Sequence, residues 1–194
     1  MHKRDSNSHN AEDTELRLLR GVRDGDRRAF SELYRQYQPR LCGYLRRLLS
    51  DPGSVEEVLD DVMLVVWRDA RKFQGRAAVS SWIFGIAYRK ALTAMRTERR
   101  YQAPLDRRAE PPASPGPSVE NEEWIEAALA HLSADHRQVL ELTYFCGFSY
   151  REIAEIAGCP ENTVKTRMFH ARRRLKVLLP VLAGRNREED RERA

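Results

Sequence analysis

Five prolines within residues 102–119 limit what this chain can fold into more than any other feature. Pro104, Pro111, Pro112, Pro115 and Pro117, with Gly116 among them, remove backbone donors and fix φ, so neither a helix nor a central strand can run through the stretch. Few apolar residues accompany them. The segment 102–120 therefore reads as a flexible, partly extended linker, and what lies on either side reads as two domains, 14–101 and 121–180. Residues 1–13 and 181–194 are polar or charged without periodicity and read as disordered tails. Apolar residues elsewhere recur at helical spacing, and no stretch alternates as a strand would. The predicted fold class is all-α: two small helical domains joined by a proline-rich linker.

The second domain carries the sharpest local pattern. Ser149 followed by Glu152 is a capping box, and Ile153, Ile156 and Ala157 give a short apolar face. Gly158 can end that helix in the left-handed region, and Pro160 stands where the next begins. Val164, Met168, Ala171, Leu175 and Leu178 then form one buried stripe. Residues 160–179 hold six Lys/Arg against one Glu. A short helix, a glycine turn and a basic second helix form a helix-turn-helix pattern, whose second helix would enter the major groove. An ordinary helical hairpin with a solvated basic face is the alternative. Upstream, Trp124, Ile125, Ala128 and Leu129 suggest a short helix, Leu132 and Ser133 mark the next start, and Val139, Leu142, Phe145 and Cys146 line the helix before Gly147.

The first domain reads as four helices. Leu16, Leu19 and Val22 share a face, Asp24-Gly25 breaks it, and Asp26 can cap the next helix over about 27–49. Pro39 predicts a kink or break inside that second helix. Ser54 with Glu57 suggests a capping box for a third helix that reaches about Phe73, with Val55, Val58, Leu59, Val62, Val66 and Phe73 as its core stripe. Asp60, Leu64, Trp67 and Arg71 fall on another side. Leu64 and Trp67 among charges form either an exposed partner surface or a second buried contact. A loop over 72–81 leads to a fourth helix over 81–100, with Ser80 as its cap. Trp82, Ile83, Ile86, Ala87, Ala91 and Met95 hold it to the core, and Arg89, Thr93, Arg96 and Arg100 face outward. Phe84, Tyr88 and Tyr101 beside those arginines suit stacking on single-stranded bases; aromatics buried under a solvated basic face are the plainer alternative.

Composition narrows the functional classes. A net charge of +5 is compatible with a polyanionic partner. Cys42, Cys146 and Cys159 are odd in number and widely spaced, which fits a reduced, cytoplasmic setting better than a disulfide scaffold. A zinc site from Cys146, Cys159 and one of His131, His136 or His170 matches no standard spacing. No apolar run is long enough for membrane insertion. No nucleophile, base and acid stand at motif spacing and no glycine loop cradles a phosphate, so neither an enzyme nor a cofactor is expected.

Four stretches carry a family resemblance. They are AFSELYRQYQPRL at 29–41, VEEVLDDVMLVVW at 55–67, SSWIFGIAYRKALTAMR at 80–96, and 132–175 with the helix-turn-helix at its centre. In this order they resemble the extracytoplasmic-function (ECF) sigma factors of bacterial RNA polymerase. The first three are similar to sigma region 2 and the last to sigma region 4. Departures include Val55-Glu56-Glu57 for the common Ala-Glu-Asp, Asp60 for Gln, Arg89 for Asn, and Leu132-Ser133 for Leu-Pro.

The resemblance implies roles by position. Asp60, Asp61, Leu64 and Trp67 would bind core RNA polymerase. Lys72, Ser80, Trp82, Tyr88, Arg89, Lys90 and Arg96 would bind the −10 element as a single strand, with the 72–81 loop capturing a flipped base. Glu161, Asn162, Thr163, Lys165, Thr166 and Arg167 would read the duplex −35 element, and Arg172 and Arg173 would hold phosphates. The implied partners are core RNA polymerase, promoter DNA and an anti-sigma factor. The competing class is a free-standing helix-turn-helix repressor or activator, which would bind duplex DNA without polymerase.

Overall fold

The computed structural model describes residues 3–102, 128–129 and 131–193, with side chains over 12–98, 128–129 and 131–179. Seven α-helices and no strand occur among the described residues: α1 Lys3–Arg23, α2 Arg27–Arg46, α3 Pro52–Asp69, α4 Val79–Gln102, α5 Ala134–Tyr144, α6 Tyr150–Ala157 and α7 Glu161–Arg193. A 3-10 turn, Ala70–Lys72, follows α3. Most of the proposed linker lies outside the described residues, as do Trp124 and Ile125.

Local chemistry sets most of the boundaries. Asp26 accepts hydrogen bonds from the backbone N–H groups of Arg28 and Ala29 and starts α2 as expected. Pro39 does not break that helix, which runs through it. Arg35, whose carbonyl loses its usual donor, and Pro39 are both exposed, so water can serve the freed group. The start of α3 corrects the Ser54–Glu57 expectation. Asp51 is the cap, accepting from the Ser54 backbone at 2.7 Å and the Ser54 hydroxyl at 2.9 Å, with Pro52 in the first turn. A carboxylate one turn earlier outcompetes the hydroxyl. The helix also stops at Asp69, short of Phe73. Ser80 is not a cap either, because α4 already begins at Val79.

Both tails are shorter than their composition suggests. Helix α1 begins at Lys3, and α7 continues through Pro180 to Arg193. Extending an existing helix costs far less than nucleating one, and packing of Leu18, Leu19 and Val22 at one end and Val164, Met168 and Ala171 at the other supplies the nucleus.

The first four helices enclose Leu33, Tyr37, Leu41, Leu45, Val62, Val66, Ile83, Ala87 and Ala91, all essentially inaccessible. In the second domain, Val139, Leu142, Ile153, Ile156, Val164 and Ala171 are equally buried. The two domains flanking the proline-rich stretch are docked. Phe84 of α4 meets Phe148 edge-on at 4.9 Å and Tyr44 at 5.6 Å. The Tyr44 hydroxyl donates to Gln138 Oε1 at 2.6 Å, both side chains being buried. Helix α4 thus buries one face in its own bundle and a second against α6. The prolines of 104–117 leave open whether the flanking apolar faces meet.

The capping box at α6 is fully formed. The Ser149 backbone N–H donates to Glu152 Oε2 at 2.8 Å, and the Glu152 N–H donates to Ser149 Oγ at 3.3 Å. Replacing Ser149 with Ala removes one acceptor for the helix and frees the Glu152 carboxylate, and the expected cost is about 1 kcal/mol. A urea titration should show a lower midpoint with an unchanged slope.

Candidate nucleic-acid and polymerase interface

The helix-turn-helix forms as its sequence indicates. Gly158 adopts φ 63° and ends α6, a conformation that side-chain-bearing residues rarely reach, and α7 starts three residues on. The apolar stripe of α7 packs on α5 and α6, leaving its opposite face to solvent. Glu161, Asn162, Lys165 and Thr166 are exposed there, and Thr163 is half-buried. Glu161 and Lys165 pair at 2.8 Å, and the Thr166 hydroxyl donates to the Asn162 carbonyl at 2.9 Å. These local bonds orient side chains that retain free polar atoms for base edges. Arg173 is exposed. Arg172 is held by the Tyr144 hydroxyl, 2.7 Å from Nη2.

One residue of this face was not singled out from sequence. Phe169 is 61% exposed, one turn beyond Lys165 and Thr166. Its place off the buried stripe was readable by counting, and an apolar ring on a basic groove-facing surface suits contact with a thymine methyl. Arg167, by contrast, points inward. Its Nη1 lies 3.3 Å from the Tyr88 hydroxyl and its Nη2 3.5 Å from Asp135 Oδ2.

The residues expected to meet the −10 strand divide into two groups. Lys72, Trp82 and Arg89 line a cavity of about 220 Å³ with Phe73, Gln74 and Arg76, while Ser80 is half-buried at the start of α4. Phe73 and Trp82 pack with centroids 5.5 Å apart and form an aromatic wall. Arg76, in the loop itself, was missing from the sequence-based set. Glu155 of α6 also lines this cavity. Arg96 is exposed on the outer face of α4, and Lys90 is tied to Asp61 at 2.7 Å. Tyr88 stands apart, buried to 4% between the domains. Its hydroxyl donates to Asp135 Oδ1 at 2.9 Å, and burial, then Asp135, pushes its pKa up to about 12. Of the three aromatics suggested for stacking, Phe84 and Tyr88 are interior residues, and the Tyr101 side chain lies outside the described ones.

On α3, Leu64 is 60% exposed and Asp60 is exposed beside it. Trp67 only partly joins them, because its ring meets Phe30 edge-on at 5.2 Å. Asp61 is half-buried and engaged by Lys90 at the edge of a groove between α3 and α4. The surface is a small apolar prominence with an acidic border, which fits a protein contact.

A helix-turn-helix with an exposed polar and basic face, a second cationic pocket and a small apolar prominence on α3 suit a DNA-binding protein that works with another protein. Comparison with known proteins agrees. Residues 33–101 match the family model Sigma-70 region 2, and residues 122–175 match Sigma-70, region 4. The ECF RNA polymerase sigma factor RpoE of Cereibacter sphaeroides is 33% identical over 166 residues, covering 82% of this chain and 91% of that protein. The ECF sigma factor SigK of Mycobacterium bovis is 31% identical over 173 residues, covering 84% and 92%. Among solved structures, the sigma factor RpoE of Bartonella quintana, in complex with the anti-sigma factor NepR, aligns with TM-score 0.60 and 29% identity over 78% of this chain and 97% of that one. CnrH, solved with the cytosolic domain of CnrY, shares the fold at TM-score 0.68 and 23% identity over 87% and 98%. The chain belongs to the ECF sigma factors of RNA polymerase. No helix among the described residues is long and apolar enough to cross a membrane, and no group of three metal-ligating side chains occurs among them.

The second domain should respond to acid. His136 of α5 stacks with His170 of α7, centroids 6.2 Å apart. Burial, then the charge of His170, lowers the His136 pKa below its ordinary 6.5; Asp135 opposes this and Arg167 adds to it. A base with a depressed folded pKa binds its proton more readily when unfolded. Stability is therefore present above the ordinary histidine value and falls as the pH drops below it. His136→Gln should flatten the decline in thermal midpoint between about pH 7 and 5.

Proposed function

We propose that this chain binds core RNA polymerase through the α3 face of Asp60, Asp61, Leu64 and Trp67 and directs initiation at promoters with two separate elements. The exposed residues of α7 read the −35 duplex, with Phe169 added to the set. The 72–81 loop and the outer face of α4 take the −10 strand once it opens. Flipping a base from the stack costs a few kcal/mol, which an aromatic-walled pocket with Lys72, Arg76 and Arg89 at its rim can repay. The observation that carries the reading is the pairing of a duplex-reading helix with a second, cationic pocket on another domain. A free-standing repressor needs only the first, and the region 2 match speaks against it.

Chemistry belongs to polymerase in this scheme; the chain supplies specificity and strand opening, and it works in the cytoplasm where polymerase is. An anti-sigma factor controls it, by analogy with the Bartonella quintana RpoE complex with NepR. A pull-down from native cells that recovers polymerase and no second regulator would count against that control.

Transcription from genomic fragments with purified core polymerase tests the main reading. New discrete start sites should appear only when the protein is added. Leu64→Asp should abolish them through weaker polymerase binding, roughly 30-fold for a central interface residue, without changing duplex binding by the protein alone. Specific duplex binding with no new start sites would favour the repressor.

A further inference from the structure

We propose that the second domain carries a binding site for a small phosphorylated ligand, inorganic pyrophosphate or the polyphosphate of a nucleotide, in the cavity between the start of α5 and the middle of α7. The cavity holds about 420 Å³ and is lined by His131, Ser133, His136, His170, Arg173 and Arg174. That volume suits a small molecule. Among the described residues its wall contains no carboxylate. Two guanidiniums and three imidazoles thus converge without a countercharge in the wall.

The fold assembles this cluster from two helices and the segment before α5. His131 and Ser133 precede α5, His136 stands in its first turn, and His170, Arg173 and Arg174 lie off the apolar stripe of α7. The rings of His136 and His170 face each other, centroids 6.2 Å apart and planes 27° apart. Burial, then the charge of His170, holds the His136 pKa down; Arg167 adds to this and Asp135 opposes it. An anion in the cavity would offset the repulsion. Asp135 is already engaged by Tyr88 of α4 at 2.9 Å and by Arg167 at 3.5 Å. Ser133 accepts from the His136 N–H at 3.3 Å and can still donate its hydroxyl proton. Guanidiniums pair well with phosphate oxygens. A backbone phosphate of DNA carries one charge and is tethered on both sides, whereas a terminal phosphate carries nearly two and can enter a recess. The number of cations favours the free ligand.

Arg173 gives the site a consequence for DNA. It belongs to the set expected on the −35 phosphates and also lines this cavity. A ligand that takes Arg173 weakens duplex binding, and by linkage the duplex weakens the ligand equally. That consequence rests on the promoter-reading function given above; the ligand site itself does not.

The test follows the histidine ring-proton NMR resonances of the full chain during titration with inorganic pyrophosphate. Those of His136 and His170 should move saturably, with a Kd below about 1 mM. Bound pyrophosphate should raise the His136 pKa, so binding should tighten as the pH falls below the ordinary histidine value. Arg174→Gln should weaken binding about tenfold, whereas Arg151→Gln, which removes one charge from α6, should leave it within about twofold. No saturable movement overturns the site, as does equal weakening by the two variants. A scrambled duplex that moves these resonances at a phosphate concentration where pyrophosphate does not assigns the cavity to the DNA backbone and overturns the small-ligand reading. Should Arg174→Gln fail to fold by circular dichroism, His170→Gln takes its place, and unchanged affinity in that variant overturns the proposal. Pyrophosphate that binds without weakening duplex affinity supports the site and removes Arg173 from the −35 set, so the two readings fail separately.

Discussion

The packing of α4 against α6 is the contact that joins the two domains. A Cβ added at Gly85 would stand 3.4 Å from the Ile156 carbonyl oxygen, so α4 and α6 pack closely at this point. That proximity lets Phe84 enter between Tyr44 and Phe148, and puts the Tyr44 hydroxyl within 2.6 Å of Gln138. Around this apolar centre sit polar groups that would be costly if left alone. Glu141 is 1% exposed, with Arg47 Nε at 3.9 Å, and the Arg47 guanidinium covers the Phe145 ring at 3.5 Å. Arg137 donates to the Arg47 carbonyl. A buried donor or acceptor that loses its partner costs about 1–3 kcal/mol, so these pairs select one docking geometry even if each adds little net stability.

The helix-turn-helix was legible residue by residue because its signals are local: a capping box at Ser149, a left-handed Gly158 and a stripe ending the ambiguity about which face is buried. The third helix shows how local signals compete. Ser54 and Glu57 satisfy the capping pattern, but Asp51 lies three residues earlier with a stronger acceptor, and Pro52 favours starting there. Periodicity identified Phe84 and Tyr88 as lying off the main stripe of α4 and stopped at that point. Whether a second apolar face is covered by another domain, by a base or by nothing depends on contacts between residues far apart in sequence, such as Tyr44 with Gln138. The same gap explains Arg167. Its charge was visible, but the side of α7 it occupies matters only once Tyr88 and Asp135 are seen to stand opposite.

Helix α7 therefore has three working faces rather than two. One is the apolar stripe of Val164, Met168 and Ala171. The second, with Asn162, Lys165, Thr166 and Phe169, meets solvent. The third, at Arg167 and His170, faces α5 and, through Arg167, α4. A helix has room for this because residues one, two and three positions apart point in directions about 100° apart per residue. The consequence is that charge count alone overstates the free cationic surface. Lys165 is paired with Glu161, Arg167 with Asp135, and Arg172 is held by Tyr144, whereas Arg173 stays exposed.

The ion pair of Arg167 and Asp135 beside the contact of α4 with α6 is half-exposed, with side chains at 25% and 38% of their free accessibility, so solvent screens their attraction and the pair adds at most about 1 kcal/mol. The apolar contact at Phe84 and Phe148 contributes more, in proportion to the area removed from water.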